Sequence, residues 1–134
     1  MGIDSIEVLG FKQGDELHEL IKNASFIIVP SEWYENNPLT IIESYALGKP
    51  VIGANVGGIT EIIENGKTGF LFEMKNIIDL SDKISMSEKM SEEDYRIFSN
   101  NSRQFAENHF NPDTHYYKLM KIYKETIDNY KKND

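Results

Sequence analysis

Two glutamates, Glu35 and Glu43, stand eight positions apart across a junction between a loop and a helix. The helix is predicted to begin at Pro38, because the proline ring sets a helical φ and its missing N–H would have no intrahelical partner. Asn37, which precedes Pro38, is the predicted N-cap. One carboxylate therefore lies at the mouth of the helix and the other in its second turn.

The start of this helix has the chemistry of an anion site. The first backbone N–H groups of a helix have no internal acceptor, and the macrodipole adds roughly half a positive charge there. Because Pro38 has no N–H, the candidate donors are the amides of Asn37, Leu39 and Thr40, with the Thr40 hydroxyl as a further donor. This arrangement favours a diphosphate as the ligand.

The two carboxylates need a separate explanation, since they repel phosphate. Glu43 lies about 6–7 Å down the helix axis from Leu39, and helical side chains lean toward the N-terminus, so Glu43 reaches back to the mouth. A carboxylate there accepts hydrogen bonds from sugar hydroxyls, each worth about 1.5–3 kcal/mol. The alternative is that Glu35 and Glu43 are solvated charges. Three short motifs around the two glutamates argue against this alternative: Pro30-Ser31, Gly48-Lys49-Pro50 and Gly57-Gly58.

The elements that would position these groups alternate along the chain. Strands are predicted at Ile6–Leu9, Phe26–Val29, Pro50–Gly53 and Gly69–Phe72, with helices at 15–24, 38–47 and 59–65 between them. Three more helices are predicted at 76–86, from Ser91, and from Asn111-Pro112. Alternation of this kind predicts an α/β fold, with a Rossmann-like parallel sheet, helices on both faces and a helical C-terminal segment.

The bulk properties limit the function. The 134 residues predict one domain, 1–134, with its core motifs at 26–73 and C-terminal helices at 76–130. The net charge of −8 argues against nucleic-acid or anionic-membrane partners. The absence of cysteine excludes disulfides and thiolate chemistry, and no apolar run approaches a membrane span, so a cytoplasmic protein is expected. His18, predicted to be exposed, and the other two histidines lie in no carboxylate cluster at ligand spacing, so no metal and no cofactor are predicted.

Two groups of aromatic residues favour structural roles. Trp33 and Tyr34 are predicted to pack under the loop, with stacking on a sugar or base as the alternative. A stripe at helical spacing in the last helix is predicted to be core rather than a cofactor site. Its members are Tyr116, Met120, Tyr123, Ile127 and Tyr130.

The segment resembles the donor-binding, C-terminal domain of retaining GT-B glycosyltransferases of the large family-4 type (glycosyl transferases group 1). The resemblance extends from about Ile6 to Glu73 and is weaker through the terminal helices. That family carries Pro-Ser, Glu-x7-Glu, Gly-x-Pro-Val-Ile, Gly-Gly and a Thr-Gly-Phe/Leu-Leu strand. The matching residues are Pro30-Ser31, Glu35 to Glu43, Gly48-Lys49-Pro50-Val51-Ile52, Gly57-Gly58 and Thr68-Gly69-Phe70-Leu71.

The resemblance implies roles for individual residues. Glu35 would contact hydroxyls of the donor sugar and is the nominated catalytic residue, and Glu43 would hold the nucleotide ribose. The donor-binding set is Glu35, Asn36, Asn37, Leu39, Thr40 and Glu43. Gly10 and Phe11 would lie near the nucleobase. Gly57-Gly58 permits close backbone approach, although a role confined to the tight strand-to-helix corner is favoured.

This sequence departs from the family pattern in two places. Asn36-Asn37-Pro38 replaces the Gly-Phe-Gly that many members have. Because asparagine adopts similar backbone dihedrals and can cap the helix, this change is interpreted as a variant of the motif rather than its loss. The family's N-terminal acceptor domain and the first strands of its donor domain have no counterpart here, so the chain is expected to be a truncated piece. In the family those strands lie between Ile6–Leu9 and Phe26–Val29. These two are therefore predicted to become neighbours or to leave an open edge that invites self-association. In the family the last helix packs back toward the N-terminal domain, so part of the stripe in the last helix is expected to be exposed here.

The resemblance therefore implies a glycosyltransferase fragment that binds a UDP- or GDP-linked sugar. The whole enzyme would transfer a hexose, with retention, to a saccharide or lipid acceptor in polysaccharide or glycolipid assembly. The fragment alone is expected to be inactive, and any peripheral membrane association would come through the missing domain. The alternatives are a non-catalytic donor-binding module and another GT-B activity such as a sugar-nucleotide epimerase.

Overall fold

The structure, a computed structural model, describes residues 5–131 of the protein. Within this range the chain alternates helices with short strands and then continues as three longer helices. The elements are α1 (Gly14–Asn23), β1 (Ile27–Val29), α2 (Leu39–Ala46), β2 (Val51–Ala54), α3 (Ile59–Ile62), β3 (Gly69–Phe72), α4 (Ile77–Glu88), α5 (Glu92–His109) and α6 (Pro112–Lys131).

The three strands form one parallel sheet in the order β1-β2-β3. Successive residues of β2 point to opposite faces, so Val51 packs with residues of α2, α3 and α5, whereas Ile52 packs with residues of α4 and α5. Helices thus cover both faces of the sheet, and the predicted fold class is confirmed. Because the strands are parallel, the segments that lead into α2 and α3 leave the same edge of the sheet.

The predicted strand at Ile6–Leu9 is wrong, since these residues have no regular structure. A strand is stabilised by its ladder with a neighbour, and β1 pairs only with β2 within residues 5–131. The Val8 side chain is 90% exposed. The sequence predicted that β1 would either pair with Ile6–Leu9 or form an open edge, and within residues 5–131 β1 forms an open edge. Self-association through that edge stays a prediction.

The start of α2 differs from the prediction by one residue. Pro38 is itself the N-cap, with φ −70° and ψ 98°, and the helix begins at Leu39. The prediction of Asn37 as N-cap is wrong, because the proline ring fixes φ but leaves ψ free, and here ψ is extended. The shift leaves the amides of Asn37, Leu39 and Thr40 as the candidate donors. At α5, by contrast, the Ser91 side chain accepts a hydrogen bond from the Asp94 N–H at 3.1 Å, which confirms the predicted start.

The aromatic stripe of α6 is exposed, so the prediction that it is core is wrong, and the exposure extends beyond the part that the resemblance implied. Tyr123 is 54% and Tyr130 71% exposed, and no residue of α6 is buried. Helical spacing identifies a common face but does not say what that face covers. No helix between residues 5 and 131 combines the length and apolarity needed to cross a membrane.

A buried polar network fixes α2 to the sheet. The Tyr45 hydroxyl donates to Thr68 Oγ1 at 2.6 Å, and the Glu64 N–H donates to the same oxygen at 3.0 Å. Ser102 Oγ donates to the Thr68 carbonyl at 3.1 Å. Burial raises the pKa of the Tyr45 phenol, so it remains a neutral donor. The network therefore joins α2, the start of β3 and α5.

Replacing Thr68 with valine removes the shared acceptor while keeping the side-chain shape. Thr68→Val leaves the buried Tyr45 hydroxyl without its partner, so we expect the free energy of unfolding to fall by about 1–3 kcal/mol. Urea denaturation measures this loss. The matched control is Thr126→Val on exposed α6, which should change stability by less than about 0.5 kcal/mol. Equal losses in the two variants would show that the network does not stabilise the fold.

Candidate functional site

The loop between β1 and α2 holds Glu35 in a defined position. Ser31 Oγ donates a hydrogen bond to Glu35 Oε1 at 2.7 Å, and both residues are half-buried. One carboxylate oxygen is therefore occupied, which restrains the rotamer of Glu35 and leaves the other oxygen for a ligand. Sequence reasoning included Ser31 in the motif but missed this contact. A hydroxyl four residues before a carboxylate in a loop is too weak a signal to reveal it.

The Gly57-Gly58 corner supports the same loop from below. The Gly58 N–H donates to the Glu35 carbonyl at 2.6 Å. A Cβ at Gly57, where φ is +53°, would lie 2.7 Å from the Glu35 carbonyl oxygen, and a Cβ at Gly58 would overlap the carbonyl of Asn36. The two glycines are thus required by the approach of two backbones. The sequence favoured a role at the strand-to-helix corner alone, whereas the structure adds contact with the loop.

The exposed face of α2 carries the remaining predicted ligand groups. Leu39, Thr40 and Glu43 are exposed, whereas Ile41 and Tyr45 are buried against the sheet. Glu43 is one helical turn beyond Leu39, about 6 Å along the axis. Glu43 therefore shares a face with the helix start.

The amides at the helix start are available to a ligand. Asn36 and Asn37 are exposed beside Leu39 and Thr40. Within residues 5–131, the amides of Asn37, Leu39 and Thr40 donate to no backbone carbonyl of the surrounding loops. These donors lie at the positive end of the helix dipole, so the arrangement has the chemistry to bind an anion next to Glu35.

The predicted packing of Trp33 and Tyr34 under the loop is wrong. Trp33 is 81% and Tyr34 86% exposed. The part of the chain that packs against the loop backbone is the Gly57-Gly58 corner. Both aromatic side chains are therefore free to contact a ligand or a partner.

The residues predicted to lie near the nucleobase have no hydrogen bond to the loop before α2 within residues 5–131. Gly10 and Phe11 lie in an irregular segment, and Phe11 is 88% exposed. Their role stays a prediction.

A cavity with residues of β1, β2, α4 and α5 in its lining lies elsewhere. Its volume is about 600 Å³, and its lining includes Phe26, Ile28, Ile52, Ile84 and Met90. Its lining also includes polar residues, among them Ser91, Glu92 and Arg96, but none of the predicted donor-binding residues, so the predicted site residues and the size of the cavity point to different places. We assign the site by its chemistry. Residues 5–131 contain no group of three His, Cys, Asp or Glu side chains placed to hold a metal ion.

Comparison with known sequences identifies one family. The family model described as Glycosyl transferases group 1 matches residues 1–105. An uncharacterized glycosyltransferase of Methanocaldococcus jannaschii is 34% identical over 127 residues, which are 94% of this chain and 35% of that protein. The sulfoquinovosyl transferase of Arabidopsis thaliana is 38% identical over 78 residues, 56% of this chain and 15% of that protein. The matches span about a third or less of these relatives.

Solved structures give the same fold. A glycosyltransferase from Rickettsia africae superposes with a TM-score of 0.76 at 30% identity, covering 89% of this chain and 32% of that chain. HepE from Anabaena, in complex with UDP and glucose, superposes with a TM-score of 0.80 at 22% identity, covering 91% and 32%. These likenesses confirm the Rossmann-like GT-B architecture predicted from the sequence.

The contact between the glycine corner and the loop can be tested by adding one methyl group. Gly58 has φ −63°, so alanine causes no backbone strain there, but its Cβ would overlap the Asn36 carbonyl. Gly58→Ala should cost about 1–3 kcal/mol and move the loop. Unfolding by urea and the amide NMR shifts of Glu35 and Asn36 measure the two effects.

The control is Gly66→Ala, where φ is +80° and no atom lies within 4 Å of the added Cβ. It should cost about 1–2 kcal/mol of strain while the Glu35 and Asn36 signals stay in place. Unchanged loop signals in Gly58→Ala would contradict the assignment.

Proposed function

Because the chain belongs to the glycosyl transferases group 1 family, we propose that the loop before α2 binds a nucleoside-diphosphate sugar. The donor is UDP- or GDP-linked, and the whole protein transfers a hexose with retention to a saccharide or lipid acceptor. Neither a metal nor a cofactor takes part in donor binding in this proposal.

One observation carries the proposal. The carboxylate of Glu35 is held by Ser31 in the loop, the amides at the start of α2 are open, and the exposed Glu43 lies one helical turn further along α2. The amides suit a diphosphate, and each carboxylate suits hydroxyl groups on one side of it. A nucleotide sugar contains a sugar, a diphosphate and a ribose in that order. In this proposal Glu35 binds the sugar, the amides at the start of α2 bind the diphosphate, and Glu43 binds the ribose.

The same geometry supplies a catalytic contribution. When the glycosidic bond to the donor breaks, negative charge develops on the leaving diphosphate. Fixed N–H groups at a helix start stabilise such charge without reorganising, which lowers the barrier. Glu35, whose carboxylate is held by Ser31, orients the sugar through its hydroxyls. It acts by positioning the ring rather than as a covalent nucleophile.

Relatives support a nucleotide-sugar donor. Crystal structures of Anabaena HepE contain UDP with glucose, or UDP-glucose. The matched part of the M. jannaschii relative is 35% of its length, so transfer to an acceptor is proposed for the whole protein. A donor-binding module that acts with a separate acceptor domain is the alternative. It would bind the same ligands without transferring the sugar, which a transfer assay with UDP-[14C]glucose separates.

The two glutamates should affect different ligands. Glu43→Ala removes the ribose acceptor, so UDP and UDP-glucose should both bind roughly 10–100-fold more weakly. Glu35→Ala removes the sugar contact, so UDP-glucose should weaken by a similar factor while UDP does not change. Isothermal titration calorimetry with UDP, GDP and their glucose conjugates measures these affinities and identifies the base.

Glu125→Ala, on exposed α6, is the control for the loss of one negative charge. Its affinities should equal those of the unmodified chain. The proposed function fails if neither Glu35→Ala nor Glu43→Ala differs from this control, or if no nucleotide binds.

Ser31 should act through Glu35. Ser31→Ala frees the carboxylate to adopt other rotamers, so UDP-glucose affinity should fall roughly three- to tenfold while UDP affinity holds. Ser31→Thr keeps the hydroxyl and should restore most of the loss. The same calorimetric titrations decide the matter, and an equal loss for UDP and UDP-glucose would indicate general damage to the loop instead.

A further inference from the structure

A second concave surface adjoins the loop before α2. Its volume is about 280 Å³, and loop, α3 and the end of α5 all contribute to it. We name it the His109 cleft. The residues that matter to its chemistry are Asn36, Asn37, Glu61, Phe105, His109 and Phe110.

One wall of the His109 cleft is aromatic. The Phe105 and His109 rings lie with centroids 4.3 Å apart at an interplanar angle of 31°. The centroid of the Phe110 ring lies 6.0 Å from the centroid of the Phe105 ring. A pyranose ring presents a patch of C–H groups on one face, and such groups pack well against the electron-rich faces of aromatic rings.

The rest of the cleft offers polar groups that have no protein partner. The side chains of Asn36, Asn37, Glu61 and His109 are exposed. No side-chain hydrogen bond or ion pair engages them among residues 5–131; His109 instead packs its ring on Phe105. Amides both donate and accept, and a carboxylate accepts.

This combination selects a class of ligand. Sugar hydroxyls both donate and accept, so they match amides and a carboxylate at once. Phosphate groups only accept, and the Glu61 carboxylate repels them. The volume of about 280 Å³ is near the lower limit of small-molecule sites, which suits one ring rather than an oligosaccharide.

We propose that the His109 cleft binds one pyranose ring, with Glu61 and His109 as the residues that select it. This inference rests on the proposed function, because Asn36 and Asn37 belong both to the cleft and to the loop assigned to the donor. The ring belongs either to the donor itself or to a separate saccharide. Both sources present the same chemistry, and the experiment distinguishes them.

The test follows amide NMR shifts of the full chain during titration. The probes are UDP, UDP-glucose, and free glucose, galactose and N-acetylglucosamine, each sugar to about 50 mM because single-ring affinities are in the millimolar range. The variants are Glu61→Gln and His109→Ala, and both sites are exposed, so folding should be preserved. The matched controls are Glu125→Gln on α6 and His18→Ala on α1, whose histidine is exposed as predicted from the sequence.

We expect both cleft variants to weaken a pyranose ligand at least about fivefold, with UDP affinity unchanged. If the ring is that of the donor, UDP-glucose is the ligand that weakens. If the ring is a separate saccharide, a free sugar shifts the signals of Glu61 and His109, and that response is lost in the variants while UDP-glucose binding is retained.

The proposal is overturned if neither UDP-glucose nor any of the three free sugars responds to Glu61→Gln and His109→Ala. That result with intact UDP binding leaves the donor site standing. Failure of UDP to bind counts against the proposed function, and the free-sugar titrations still decide the cleft in that case.

Discussion

The candidate site depends on a contact between two backbones. The Gly58 N–H donates to the Glu35 carbonyl at 2.6 Å, and the absence of a Cβ at Gly57 and Gly58 makes this distance possible. The loop after β1 is thereby fixed to the segment after β2, and the two strands are paired in register at Val29 and Gly53. The position of Glu35 is therefore set by the pairing of two strands of the sheet.

The orientation of α2 has a separate cause. Tyr45 is fully buried and donates to Thr68, whose carbonyl in turn accepts from Ser102. A helix held on its inner face by this network cannot rotate about its axis without leaving buried polar groups unpaired, which is costly. The rotation of α2 about its axis is consequently fixed, and so is the direction in which its exposed face, with Thr40 and Glu43, points. The Tyr45–Thr68 network fixes α2, and the Gly58–Glu35 hydrogen bond fixes the loop before it. Together these contacts fix the parts of the candidate site relative to the sheet.

The sequence predicted the elements whose signals are local. Short β-branched runs and glycine or proline boundaries located β1, β2, β3 and their helices to within a few residues. The alternation of elements predicted that the strands of the sheet are parallel. The Ile6–Leu9 strand failed because pairing depends on a neighbour, which no local pattern encodes. The prediction of Asn37 as the N-cap of α2 was wrong because proline determines φ and not ψ, and Pro38 is itself the N-cap.

The site shows the same division. The residue types and spacing of Glu35 and Glu43 suggested a ligand, and the helix start supplied the amides. The Ser31 contact and the support from Gly58 are distances between specific atoms, and they follow only from the folded chain. The exposure of Trp33 and the full extent of exposure along the α6 stripe were missed for a related reason. An apolar spacing predicts a common face but carries no information about what packs on it.

The charges around the loop before α2 limit where an anion could bind. Between Pro30 and Glu43 the sequence has three glutamates and neither lysine nor arginine. Lys75, from the segment after β3, lies 3.6 Å from Glu32 and offsets one of these charges. The remaining attraction comes from backbone amides and the helix dipole, which act only within the first turn. In the described part of the chain, the positive potential near the loop is therefore confined to the helix start, with Glu43 one turn away. The proposed diphosphate would have to contact these amides directly.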